Sequence, residues 1–213
     1  MAGILSFAKL AGGFLAIDER FARLVSLACH DLRTPLATVS GFAHTLERVD
    51  ELGPPANRYV EMILAGAEQM ADLLEDLALV ARIEDGRYEP HLVDADTREL
   101  VDAAAAVAGE RATASGEGAS VRTDSERVER ALGALALCAA RHGGVDSVEL
   151  RAEQHEVFIS PVVSDAAPVV LGEELKDLGA VVARQLIEAL GGSLTLEGDV
   201  LRVRVSGGRP VSR

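Results

Sequence analysis

Apolar residues recur at alternating spacings of four and three along the first part of this 213-residue chain, and that period leaves little choice of fold. Val25, Cys29, Leu32, Leu36, Val39, Ala43 and Leu46 form one series, the stripe of a helix that packs against other helices in a bundle. The spacing predicts a helix of about nine turns, from near Asp18 to near Val49. Gly53-Pro54-Pro55 is read as its stop and as a short connection. Val60, Ile63, Ala67, Met70, Leu74, Leu77 and Ala81 repeat the pattern and predict a second helix, antiparallel to the first. A lone hairpin leaves apolar surface on its far side, and a second copy closing a four-helix bundle is the simplest cover. A homodimer is therefore expected.

His30 follows the seam position Cys29 directly, so its imidazole is expected to point off the seam toward solvent. A phosphoryl carrier needs such a ring nitrogen: exposed, largely neutral near pH 7 and oriented by a neighbour. Asp31 is placed to accept a hydrogen bond from the other ring nitrogen or to act as a base. Thr34 lies one helical turn on, where its hydroxyl can position a water or an aspartyl phosphate. Pro35 lacks the N–H that would bond the carbonyl of Asp31, which predicts a bend just past the histidine. His44, His91, His142 and His155 have no such setting and read as ordinary surface residues.

Past Gly86 the period changes. Helical patterns at Asp96 to Ala108, Asp124 to His142 and Glu174 to Leu190 alternate with strand patterns at Val148 to Ala152, Glu156 to Ser160, Ser193 to Leu196 and Val200 to Val205. In the last of these Leu201, Val203 and Val205 face one way and Arg202 and Arg204 the other, as a half-covered sheet requires. Ser115-Gly116-Glu117-Gly118 reads as a loop, and Gly143-Gly144 and Gly191-Gly192 as helix caps. The fold class is α+β, in three parts: an apolar lead-in (1–17), a helical hairpin (18–86) and an α/β sandwich (87–213).

A net charge of −13 argues against a nucleic-acid partner, which would require a cationic surface. The two cysteines, Cys29 and Cys138, sit in apolar helical patterns without zinc-type spacing and read as small buried hydrophobes in a reducing cytoplasm. The lead-in, broken by Lys9 and Gly12-Gly13, lacks the basic start of a signal peptide and is too interrupted for a membrane span. It is expected to pack on the dimer, with a peripheral membrane contact as the alternative.

The stretch Cys29-His30-Asp31-Leu32-Arg33-Thr34-Pro35-Leu36, with the ending Ala81-Arg82-Ile83-Glu84-Asp85-Gly86, resembles the dimerisation and histidine-phosphotransfer domain of two-component histidine kinases over about residues 20 to 86. The resemblance implies that His30 is the phosphoacceptor, that Asp31 assists its phosphorylation, and that Thr34 serves dephosphorylation of the partner. It also implies docking of a response-regulator receiver domain just below the histidine, at outward positions such as Thr38, Gly41 and Thr45. The second half resembles the catalytic, ATP-binding domain of the same kinases, with helices on one face of a mixed sheet.

That half departs from the family where nucleotide is held. The asparagine-bearing helix is here Leu132-Gly133-Ala134-Leu135-Ala136-Leu137-Cys138-Ala139-Ala140-Arg141-His142, and no asparagine occurs between Arg58 and Arg213. The Asp-x-Gly-x-Gly turn survives only as Asp165 in Asp165-Ala166-Ala167-Pro168-Val169, the lid shrinks to Val170 to Asp177, and the second glycine motif is reduced to Gly179 in Asp177-Leu178-Gly179-Ala180. Magnesium wants oxygen ligands, and the residues near Ala134, Cys138, Asp165 and Gly179 have lost them. No ATP, other cofactor or metal is therefore expected. The pattern resembles the ChpT-like histidine phosphotransferases, which shuttle phosphoryl groups between receiver aspartates. A histidine kinase using magnesium-ATP, a receiver phosphatase and a non-catalytic dimeric scaffold are the alternatives.

Overall fold

The computed structural model describes residues 25, 29–30, 32–46, 48 and 54–206. Met1–Tyr88 and Glu89–Arg213 form two compact units. In the first, helix α1 is continuous over the described residues 32–46, and α2 runs Pro54–Glu84. The connection expected at Gly53-Pro54-Pro55 is thus corrected: both prolines are the opening residues of α2, where a missing N–H costs no helical bond and a fixed φ favours the first turn. Ala43, Val60 and Leu64 bury one another where the end of α1 meets the start of α2, as a hairpin requires. Cys29, Ala67 and Ala81 are buried as well. The seam residues Leu32, Val39 and Leu46 of α1, with Ile63 and Met70 of α2, remain exposed in the single chain. The lead-in 1–17 lies outside the described residues. No helix among the described residues is long and apolar enough to cross a membrane.

The second unit is a mixed sheet covered by helices. Strand β1 (Val93–Asp96) pairs antiparallel with β3 (Ser120–Thr123), and α3 (Thr97–Ala108) starts where the Asp96 carboxylate accepts from the Arg98 N–H at 2.7 Å. The five-stranded sheet has the order β2 (Ala112–Gly118), β4 (Val148–Gln154), β5 (Glu156–Ser160), β7 (Val200–Arg204), β6 (Ser193–Glu197). Only the β2–β4 pair is parallel. Between these strands lie α4 (Ser125–Gly143), the short α5 (Ala167–Val170) and α6 (Leu178–Ala189).

Period-2 alternation places Leu150, Ala152, Val157, Ile159, Leu201 and Val203 on one buried face, against Leu100 and Val101 of α3, Leu132 and Leu135 of α4, and Leu186 and Ile187 of α6. Each fully buried Leu, Ile or Val contributes about 1.5–3 kcal/mol. The opposite face is charged, with Arg202 held in a fork by Glu156 at 2.7 and 2.9 Å and Arg151 over the Phe158 ring. Ser115 to Gly118, expected as a loop, belong to β2. The pairing is carried by backbone groups, and Gly116 sits so close to Ala152 that a Cβ would lie 2.1 Å from its carbonyl oxygen. The helix expected from Glu174 starts only at Leu178, because the Asp177 carboxylate accepts from the Ala180 N–H and caps it there.

Candidate functional site

In the first unit the local sequence sets the display of His30. Cys29 is 2% exposed and anchors the helix, and the next residue, about 100° further round, is turned outward, so His30 is exposed. Thr34 is exposed one turn further on, on the same helical face as the histidine. Asp31 lies outside the described residues. Thr38, Gly41 and Thr45 are all exposed. The Thr38 hydroxyl donates to the Thr34 carbonyl at 3.1 Å and the Thr45 hydroxyl to the Gly41 carbonyl at 2.8 Å. Both hydroxyl protons are therefore spent inside the helix, and an approaching surface meets acceptor oxygens, methyl groups and the bare backbone of Gly41, whose Cβ position is open.

In the second unit, Ala134, Cys138 and Gly179 stand at the packing of α4 against α6. A Cβ on Gly179 would lie 3.2 Å from the Ala134 methyl and 3.3 Å from Asp177 Oδ1, so the helices approach closely where both residues are small. One turn along α4, Cys138 is fully buried beside Asp177. Burial pushes its thiol up to about 12, reinforced by the Asp177 charge and a hydrogen bond to that carboxylate, and opposed by Arg141. Asp177 also takes Arg141 Nη1 at 3.1 Å and faces His142 Nε2 at 3.5 Å. Asp165 is not part of this group; it is exposed and accepts from the Ser164 hydroxyl. The link 171–177 is held to α6 by Arg184, whose guanidinium donates to the Leu171 carbonyl at 2.6 Å.

The contacts of two residues, His142 and Asp177, escaped the sequence reading. His142, expected on the surface, has a side chain only 25% exposed because it folds down against Asp177. Asp177 binds α4 to α6 as well as capping α6. The signal available was the i, i+4 spacing of Cys138 and His142, which puts both on one helical face; their acidic neighbour comes from 35 or more positions away.

An exposed histidine on a helical hairpin is thus followed along the chain by a mixed sheet with helices on one face. Residues 22–86 match the His Kinase A (phospho-acceptor) domain. The sensor protein DivL of Caulobacter vibrioides is 28% identical over 212 residues, 87% of this chain and 27% of that protein. The sensor histidine kinase MtrB of Mycobacterium leprae is 28% identical over 159 residues, 70% of this chain and 28% of that protein. The chain thus spans little more than a quarter of the length of these relatives. The crystal structure of full-length ShkA in complex with AMPPNP shares the fold, with a TM-score of 0.63 and 21% identity over 85% of this chain and 44% of that one. Together these matches give a His Kinase A (phospho-acceptor) domain over residues 22–86 and a similarity to sensor histidine kinases that extends past it.

Proposed function

We propose that this chain is a cytoplasmic, homodimeric histidine phosphotransfer protein, of the ChpT-like kind, that exchanges a phosphoryl group between His30 and the aspartate of a response-regulator receiver domain without using ATP. The observation that carries the reading is His30 standing exposed beside the buried Cys29, on a hairpin that matches a phosphoacceptor domain. The lone pair of a neutral His30 ring nitrogen attacks phosphorus, the N–P bond forms, and the P–O bond to the receiver carboxylate breaks with its electron pair leaving on oxygen. The other ring nitrogen keeps its proton, and the resemblance assigns Asp31, next in sequence, to assist, so the step runs back by the same route. The receiver supplies the divalent cation and carboxylates that stabilise the transferring group. Thr34, one turn on, positions the aspartyl phosphate or a water, and Thr38, Gly41 and Thr45 form the docking strip.

Support for the absence of ATP use comes from the α4–α6 packing, where Ala134 meets Gly179 and Cys138 meets Asp177, and from the lack of asparagine beyond Asn57. The kinase names of the relatives favour the second reading, an autokinase. One pair of experiments separates them. Incubation with a labelled phospho-receiver is expected to label the wild-type chain and leave His30→Ala unlabelled, while magnesium-ATP labels neither. Labelling of His30 by ATP alone would establish the autokinase instead. Retention of partner binding and signalling by His30→Ala, with no transfer in any arm, would leave a scaffold.

A further inference from the structure

Cys138, His142 and Asp177 bring a thiol, an imidazole and a carboxylate together from two helices, with ligand atoms all within 4.8 Å of one another. We infer that these three side chains form a binding site for a thiophilic divalent transition-metal ion of the zinc type. The inference is independent of phosphotransfer at His30.

The geometry is close to what such an ion asks. With bonds of about 2.0 Å to nitrogen or oxygen and about 2.3 Å to sulfur, tetrahedral ligands stand roughly 3.3–3.5 Å apart. His142 Nε2 and Asp177 Oδ2 are already 3.5 Å apart. Cys138 and His142 project from the same face of α4, one turn apart, so the pair closes by side-chain rotation alone. Asp177 is oriented from behind: its Oδ1 accepts from the Ala180 N–H at 3.2 Å, which leaves Oδ2 as the single ligating oxygen, a hydrogen-bonded carboxylate of the kind that tunes metal sites. Sulfur and nitrogen donors select zinc-like ions over magnesium. Charge also balances, because a thiolate and a carboxylate neutralise a dication where Cys138 is fully buried.

Arg141 is the competitor. Its guanidinium holds Oδ2 at 3.1 Å, but its side chain is 68% exposed and can turn to water. On metal binding the Cys138 Sγ–H proton passes to solvent, the Sγ–metal, Nε2–metal and Oδ2–metal bonds form, and the Arg141–Asp177 pair opens. A water completes the tetrahedron. The ion enters from the side of His142, whose side chain is the more exposed of the three.

The test adds cobalt(II), then zinc, to the chelator-stripped full-length protein. One cobalt per chain with a thiolate-to-metal charge-transfer band and tetrahedral visible bands is expected, zinc displacing it and raising the melting temperature. Cys138→Ser should lose the charge-transfer band. His142→Gln and Asp177→Asn, the latter retaining the helix cap, should each weaken binding by about ten-fold or more. Arg141→Ala should bind more tightly, by roughly ten-fold, whereas a purely structural ion pair would give destabilisation with no change in affinity. The inference is overturned by the absence of any band, by a band that survives Cys138→Ser and so belongs to Cys29, or by His142→Gln binding as well as wild type.

Discussion

Glu129 shows how a single half-buried carboxyl on α4 couples the fold to pH. Burial raises its folded-state pKa above the ordinary value of 4.5, and the nearby Glu126 charge raises it further. The folded protein then binds this proton more tightly than the unfolded chain, so stability falls as pH rises from 4.5 through the raised value and stays lowered above it. Glu129→Gln removes the ionisable group. The variant is expected to melt slightly higher than wild type at pH 7 and to lose that advantage below pH 4.5, a difference read from melting curves across pH. An equal effect at both pH values would show that the gain comes from packing instead. At this scale, legibility in the sequence follows locality. His30 was readable because its burial partner Cys29 is adjacent and the helical period fixes which way each points. His142 was not, because what covers it, Asp177, arrives from another helix.

Elements were legible where their own residues make the pattern and opaque where a neighbour does. Strand β7 alternates Leu201 and Val203 with Arg202 and Arg204, and α3 starts beyond the Asp96 cap; both could be written down from the chain. The short β1, Val93–Asp96, and β3, Ser120–Thr123, alternate too, but four residues each give too short a pattern to read without the partner strand they pair with. Strand β2 hides behind its glycines. Gly116 has φ +90 and faces the Ala152 backbone, with room for hydrogen but not for a methyl group. Gly116→Ala combines backbone strain with a backbone clash, and is expected to cost about 2–4 kcal/mol. Denaturant unfolding of the second unit should report this as a lower midpoint at nearly unchanged slope. A midpoint equal to wild type would mean that β2 is not paired with β4 at this register.

At the scale of the whole molecule, the two units answer differently to water. The second buries most of its apolar residues and exposes only Val107 and Leu175 among its large ones, whereas the first leaves Leu32, Val39, Phe42, Leu46, Tyr59, Met62, Ile63, Met70 and Leu73 exposed. Phe42, at 69%, and Tyr59, at 64%, are extreme for rings of their size. A surface of this extent on one small hairpin marks an interaction face, and a stable interface needs about 800 Å² from each partner. A second copy is the proposed occupant, because Val39 and Met70 repeat the seven-residue seam that a helical bundle interleaves. Val39→Glu with Met70→Glu places charge at both seam positions, which leaves each carboxylate to be desolvated without a partner on closure. Sedimentation is expected to give twice the chain mass for wild type and the single-chain mass for the double variant. The Glu89–Arg213 unit, which contains neither substituted residue, should keep its unfolding transition in that variant, while the hairpin's transition moves to lower denaturant and becomes independent of protein concentration. A wild-type chain that sediments at the single-chain mass across the concentration range would remove the dimer, and would require some other occupant for that apolar face.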